Sequence, residues 1–191
     1  GLAFLRAAGL YRRAIELGID EPRWQLERSV GDMLLAAGHA AEAAAAFASA
    51  VHYAPPQERT ALRSIAAEHF LKSGGEVEGL RLLREALTDV KIGYPETTAS
   101  AVVSLLGNRA RLMLRGMKFQ PRDDVSPSEL QRIDVAFVAS TGLAMLDVVR
   151  AADFGARHLL LALDGGEPIR VCRALAIEAS GRAAVEVRGR A

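Results

Sequence analysis

Apolar positions recur along this chain at three- and four-residue steps, the spacing of amphipathic helices, and the pattern is cut wherever Gly, Pro and capping residues gather. The cuts predict helices over residues 2–17, 22–37, 41–53, 57–72, from Gly75 to about 90, and a longer one over 97–119. A polar loop follows at 120–125, and Ser126-Pro127-Ser128-Glu129 predicts the next helix start: Ser126 caps, Pro127 suits the first helical position and Glu129 reaches back. That helix is expected to reach about Leu146, Asp147 to cap another that runs to Leu163, and Gly165-Gly166 to precede a last one over 167–180. No stretch keeps a two-residue alternation between turn signals, so the pattern predicts an all-α chain.

Composition sharpens this. Half of the 191 residues are apolar but only 5% are aromatic, and Ala is the commonest residue, which favours closely packed helices. A formal charge of +1 gives no global field for nucleic acid or an anionic membrane. The single cysteine, Cys172, excludes an internal disulfide and reads as a small buried hydrophobe in a reducing compartment. With no run of ~18 apolar residues and no signal-peptide pattern, the expectation is a soluble, cytoplasmic chain. It starts at Gly1 directly in an apolar-periodic segment and ends without a closing cap, so it reads as a helical array truncated at both ends.

A period is visible in the first half. Ala43-x3-Phe47-x2-Ala50 returns 36 residues later as Gly79-x3-Leu83-x2-Ala86 and 36 residues earlier as Ala7-x3-Tyr11-x2-Ala14. Those offsets place small, large and small residues on one helix face, the arrangement a stacked helical hairpin needs. With Val30-Gly31-x2-Leu34 in the leading helix, Ala43, Phe47 and Ala50 in the trailing helix and Pro55 after it, residues 1–94 resemble the tetratricopeptide repeat (TPR). Glu27 stands where that family usually carries Trp, with Trp24 one turn earlier, and Ala67 and Phe70 replace Gly31 and Leu34 in the next unit. The resemblance implies a TPR-like α-solenoid of antiparallel helix pairs, less regular over 95–191, where a longer helical hairpin and a following helix pair are expected.

The segments Gln131-Arg132-Ile133-Asp134, Arg157-His158-Leu159-Leu160, Gly166-Glu167-Pro168 and Arg173-Ala174-Leu175-Ala176 resemble the helical region of large bacterial serine/threonine kinases that also carry an AAA-like ATPase module. That resemblance implies a regulatory or scaffolding section of a signalling protein.

The chain itself offers little chemistry. No Gly-rich phosphate loop, H-R-D segment or Gly-Lys-Ser/Thr run occurs. Asp153-Phe154-Gly155 spells a kinase metal-binding triplet but falls inside a helical pattern, where the letters carry no such role. His39, His52, His69 and His158 lack the i,i+4 spacing of a zinc site, and His158 is expected at a helix interface with a hydrogen bond to a neighbour. No catalytic residue, metal site or cofactor is assigned. Arg111, Arg115, Lys118 and Arg122 fall on one side of the long helix if it runs that far, opposite an apolar arc of Val102, Leu105, Leu106, Met113 and Met117. This stripe reads as the wet face of an amphipathic helix, and as phosphate-facing only in a nucleic-acid-binding array.

The TPR resemblance implies an inner groove for an extended or helical peptide, lined by Gln25, Arg28 and Asp32 from one leading helix and Ser64, Glu68 and Lys72 from the next. Arg28 with Asp32 and Glu68 with Lys72 also read as ordinary i,i+4 pairs. The function expected is a non-catalytic module that binds a protein or peptide partner, or neighbouring domains of a signalling kinase. A fragment of a catalytic ATPase or kinase region and a nucleic-acid-binding array are the alternatives.

Overall fold

The computed structural model describes residues 1–189, and among them every regular element is an α-helix. The chain divides into two compact units, Gly1–Lys91 and Ile92 onward.

The first unit holds α1 (Leu2–Leu17), α2 (Arg23–Ala36), α3 (Ala40–Tyr53), α4 (Pro56–Lys72) and α5 (Glu76–Asp89), each packed on the next in chain order. The period lies in the turns as well as the helices. Gly38 and Gly74 close α2 and α4 with the same φ of 88°, a left-handed turn that only Gly adopts without strain. After α2 the amide of Gly38 donates to Leu35 O (2.9 Å) and that of His39 to Leu34 O (2.8 Å), so the last carbonyls are satisfied as the chain reverses.

Packing between helices rests on small residues facing large ones. A Cβ on Gly31 of α2 would lie 2.6 Å from Phe47 Cε1 of α3, and one on Gly79 of α5 would lie 2.8 Å from Leu71 Cγ of α4. The missing Cβ therefore lets the facing side chain seat fully, and Phe47 and Leu83 are wholly buried. The ring of Phe47 stacks on that of His69 in α4, 6.1 Å between centroids. At the open end of α4 and α5, Thr60 Oγ1 and Arg63 Nη1 each donate to Asp89 Oδ2 at 2.7 Å.

The earliest copy of the repeat does not share this burial. Tyr11 is exposed and Ala7 and Ala14 are half-buried, because α1 packs mainly on α2 and Ala8 is its one buried residue.

The second unit holds α6 (Thr98–Arg115), α7 (Pro127–Gly142), α8 (Val148–Gly165) and α9 (Pro168–Gly189). All three others pack on α8, so the unit is organised about one helix and not as successive pairs. Leu159, Leu160 and Leu163 of α8 meet Leu112 of α6, Ile133 of α7 and Val171 and Ala174 of α9 in one core.

The helix starts follow their chemistry: Ser126 and Glu129 form a capping box for α7, Thr97 and Ser100 do so for α6, and Asp147 caps α8 through the amide of Arg150. Three helix ends depart from the expectation, and one of them is that of α9, which continues past Ser180 to Gly189. α6 stops at Arg115, where Gly116 turns out of the helix at φ 72°, and does not reach Phe119. α7 stops at Gly142, short of Leu146, as Leu143 and Ala144 form the turn into Asp147.

The same substitution is expected to have opposite signs at two glycines. Gly31→Ala drives a methyl into the buried Phe47 ring and should lower stability by ~1–3 kcal/mol, whereas a Cβ on Gly107 of α6 has nothing within 4 Å, so Gly107→Ala should raise it by ~0.5–1 kcal/mol. Urea unfolding of the two variants measures both, and a gain at Gly31 would mean that α2 and α3 are not in this close contact.

Candidate functional site

The groove residues come first because the TPR resemblance names them. Gln25, Arg28 and Asp32 share one solvent-exposed side of α2, with Arg28 Nε 4.0 Å from Asp32 Oδ2. Partial burial raises the Asp32 carboxyl above its ordinary value, with the Arg28 charge opposing. On α4 the three residues grade from core to solvent: Ser64 is buried, Glu68 is half-buried and Lys72 is exposed, its Nζ 2.5 Å from Glu68 Oε1. The polar contacts found for these residues join Arg28 to Asp32 and Lys72 to Glu68, each within one helix. Ser64 faces the interior, where its Oγ has no hydrogen-bond partner among the described residues.

The second unit carries the most developed polar cluster, and it is centred on Asp153. That carboxylate is wholly buried in α8. Ser104 Oγ and Asn108 Nδ2, one turn apart on α6, both donate to its Oδ1 at 2.8 Å, and Arg157 Nη2 lies 2.8 Å from its Oδ2. Arg157 also donates to Ser104 Oγ (2.6 Å) and to Gly93 O (2.6 Å), while Arg150 donates to Pro95 O and Glu96 O, both at 2.7 Å. Two arginines of α8 thus pin the segment before α6, and the buried charge is paired as its burial requires. Asp153-Phe154-Gly155 is one continuous piece of helix, and its carboxylate is occupied by side chains of the fold.

His158 corrects an expectation. It is buried at the α8 interface as foreseen, but neither ring nitrogen meets a hydrogen-bond partner among the described residues. Its ring packs against Phe137 of α7, 5.5 Å between centroids, and the Arg173 guanidinium of α9 lies 4.0 Å from the same Phe137 ring. Burial, helped by the Arg173 charge and opposed by Asp134, pushes His158 down to about 4. Cys172 corrects another: it is exposed, one position past the buried Val171, so it is not part of the core.

The basic stripe is reorganised rather than lost. Arg111 and Arg115 lie on α6, but Lys118 and Arg122 follow the turn at Gly116, in the loop to α7. That loop folds back on the end of α8, where the amide of Arg122 donates to Gly166 O (2.9 Å) and a Cβ on Gly166 would stand 2.2 Å from Gln120 O. Only Gly fits there. The fold-back gathers Arg115, Lys118, Phe119 and Arg122 around an open cavity of about 570 Å³ beside Asp164. Arg115 Nε is held by Asp164 Oδ1 at 2.6 Å, and Arg122 Nε lies 3.4 Å from Asp124 Oδ1.

Most of the arc of α6 that the apolar pattern assigns to a core is on the outside, with Leu105 half-buried. Val102 and Leu106 are exposed, Met113 is 86% exposed, and the neighbouring Val103 and Leu114 reach 70% and 89%. What α6 turns toward α8 is Ala101, Ser104, Asn108 and Leu112. This inversion has a signal in the sequence: Ser104 and Asn108, four apart on a helix otherwise rich in apolar residues, match a buried carboxylate on another helix.

Two measurements test these environments. Asp153→Ala leaves Arg157, Ser104 and Asn108 without their shared acceptor and should lower stability by ~3–5 kcal/mol in urea unfolding; a loss below ~1 kcal/mol would place Asp153 in water. For His158 the folded state stays neutral to about pH 4 while the unfolded chain protonates near its ordinary 6.5, so unfolding takes up a proton between those values. Stability should therefore fall as pH drops from about 6.5 toward 4, by up to ~3 kcal/mol, and His158→Phe should remove that increment. An unchanged pH profile in His158→Phe would count against a buried neutral imidazole. Comparison of the chain with protein-family models, with curated proteins and with solved structures finds no match.

Proposed function

We propose that the chain is a non-catalytic helical-repeat module for protein–protein interaction or interdomain regulation, within a bacterial signalling kinase as its sequence resemblance implies. The observation that carries this reading is the outer face of α6. Val103, Leu106, Met113 and Leu114 stand in solvent along a helix whose other side is fully engaged with α8. Large apolar side chains in one contiguous row mark a surface that another element covers. The regular first unit fits the same role, since stacked helix pairs present extended surfaces, and the exposed Gln25, Arg28 and Asp32 of α2 are its polar contribution. No helix among the described residues is long and apolar enough to cross a membrane.

The catalytic alternative loses its one sequence cue, because Asp153 is buried and held by Ser104, Asn108 and Arg157. In the parent protein, a photo-crosslinking residue placed at Leu106 or Leu114 should give discrete adducts with a partner protein or a neighbouring domain, and one placed at the exposed Gln57 of α4 should not. The isolated chain should show no ATP hydrolysis or phosphoryl transfer. Adduct-free α6 positions, or turnover abolished by Asp153→Asn in a folded chain, would overturn the proposal.

A further inference from the structure

The outer face of α6 has a definite shape and charge. Val103, Leu106, Ala110 and then Met113 or Leu114 follow one another at three- and four-residue steps on the helix, ~17 Å of apolar stripe. Gly107 lies within it with open space above its Cα, so the middle of the stripe is low and its ends are raised by Val103, Leu106, Met113 and Leu114. A second helix laid along this saddle approaches closely at the centre, and the methionine adapts to its side chains.

Charge is distributed unevenly about the stripe. α6 contains Arg109, Arg111 and Arg115 and no carboxylate. Arg109 is held by Glu178 at 2.7 Å, Arg115 by Asp164, and Arg122 by Asp124. Arg111 and Lys118 are exposed and carry no ion pair among the described residues. Arg111 stands in the C-terminal half of the helix, three residues before Leu114, and Lys118 follows the turn at Gly116, on the cavity that it rims with Arg115 and Arg122.

From this we infer that the outer face of α6 docks an amphipathic helix of a partner protein or domain whose apolar stripe is flanked by Asp and Glu at one end. The inference rests on the reading of the chain as an interaction module and names the chemistry of its partner. Carboxylates are best placed in the first turns of a helix, so the acidic end of the partner is its N-terminal end, and the partner runs antiparallel to α6.

Other occupants fit the charges less well. In a second copy, antiparallel α6 helices set each cationic half over the neutral Thr98 and Ser100, and parallel ones set cations against cations. An anionic membrane would gain only ~1 kcal/mol from each of the two free cations.

The test uses the full chain and two synthetic 20-residue helical peptides with the same apolar stripe, one flanked by Glu in its N-terminal half and the other by Lys. Fluorescence anisotropy should show the Glu peptide binding at least ~10-fold more tightly than the Lys peptide, with an affinity that falls as salt rises. Leu106→Glu with Leu114→Glu should weaken the Glu peptide by ~10-fold or more, and Arg111→Glu with Lys118→Glu should reverse the preference. All four positions are exposed, and circular dichroism of each variant confirms that helicity is kept. No binding, equal binding of both peptides, or Glu-peptide binding that the α6 variants leave unchanged overturns the inference. So does self-association in sedimentation, or capture by phosphatidylserine vesicles or RNA, that the same variants abolish. If crosslinking at Leu106 gives protein adducts but the Glu peptide does not bind, the interaction module stands and the acidic helix falls. If both fail, both readings fall.

Discussion

Close approach between a glycine on one helix and a bulky side chain on the next sets the geometry of both units. Gly31 receives Phe47, Gly79 receives Leu71, and in the second unit a Cβ on Gly165 of α8 would come within 3.0 Å of Ile133 Cδ1 of α7. A chain with few aromatic residues and abundant alanine fills its core in this way, by bringing backbones together rather than by adding volume between them. The remaining contacts, from the Thr60 and Arg63 bonds to Asp89 to the pairing of Arg170 with Asp134, close the edges of helices already positioned by that packing.

The second unit adds a polar constraint. Burying Asp153 in α8 obliges α6 to present Ser104 and Asn108 to it, and a helix has only one face for one neighbour. The apolar residues of α6 are therefore displaced to the opposite side. The solvent-exposed row of Val103, Leu106, Met113 and Leu114 is the geometric consequence of a satisfied interior charge. The same turn at Gly116 that ends this helix redirects Lys118 and Arg122 toward the end of α8, where they line one cavity with Arg115.

Much of the fold was legible in the sequence, because helix periodicity and end signals act over a few residues. Ser126-Pro127-Ser128-Glu129, Asp147 and the glycines after α2 and α4 all mark element ends where they stand. The small-large-small recurrence located Phe47 and Leu83 in the core. What was not legible depends on which neighbour covers a face. Periodicity showed that α6 has an apolar arc but not that α8 would take the other side, and Tyr11 carries the repeat pattern without the helix that would bury it. Cys172 was misjudged for the same reason: it lies among apolar residues in the sequence, yet its side of α9 faces out. The groove residues were legible only as positions. Ser64 belongs to the interior, and the charged ones pair within their own helices.

The way α8 collects its neighbours also separates the two units in how they acquire structure. In the first unit each helix meets the one that precedes it, so a hairpin formed anywhere can be extended by the next few residues of chain. In the second, α6 has no such local partner: it must wait for α8, and Ser104 reaches Asp153 only across 49 residues. Loop closure over that length precedes any reward from the buried carboxylate. During synthesis the first unit can therefore mature as it emerges, while α6 remains with both of its faces open until α8 has left the ribosome.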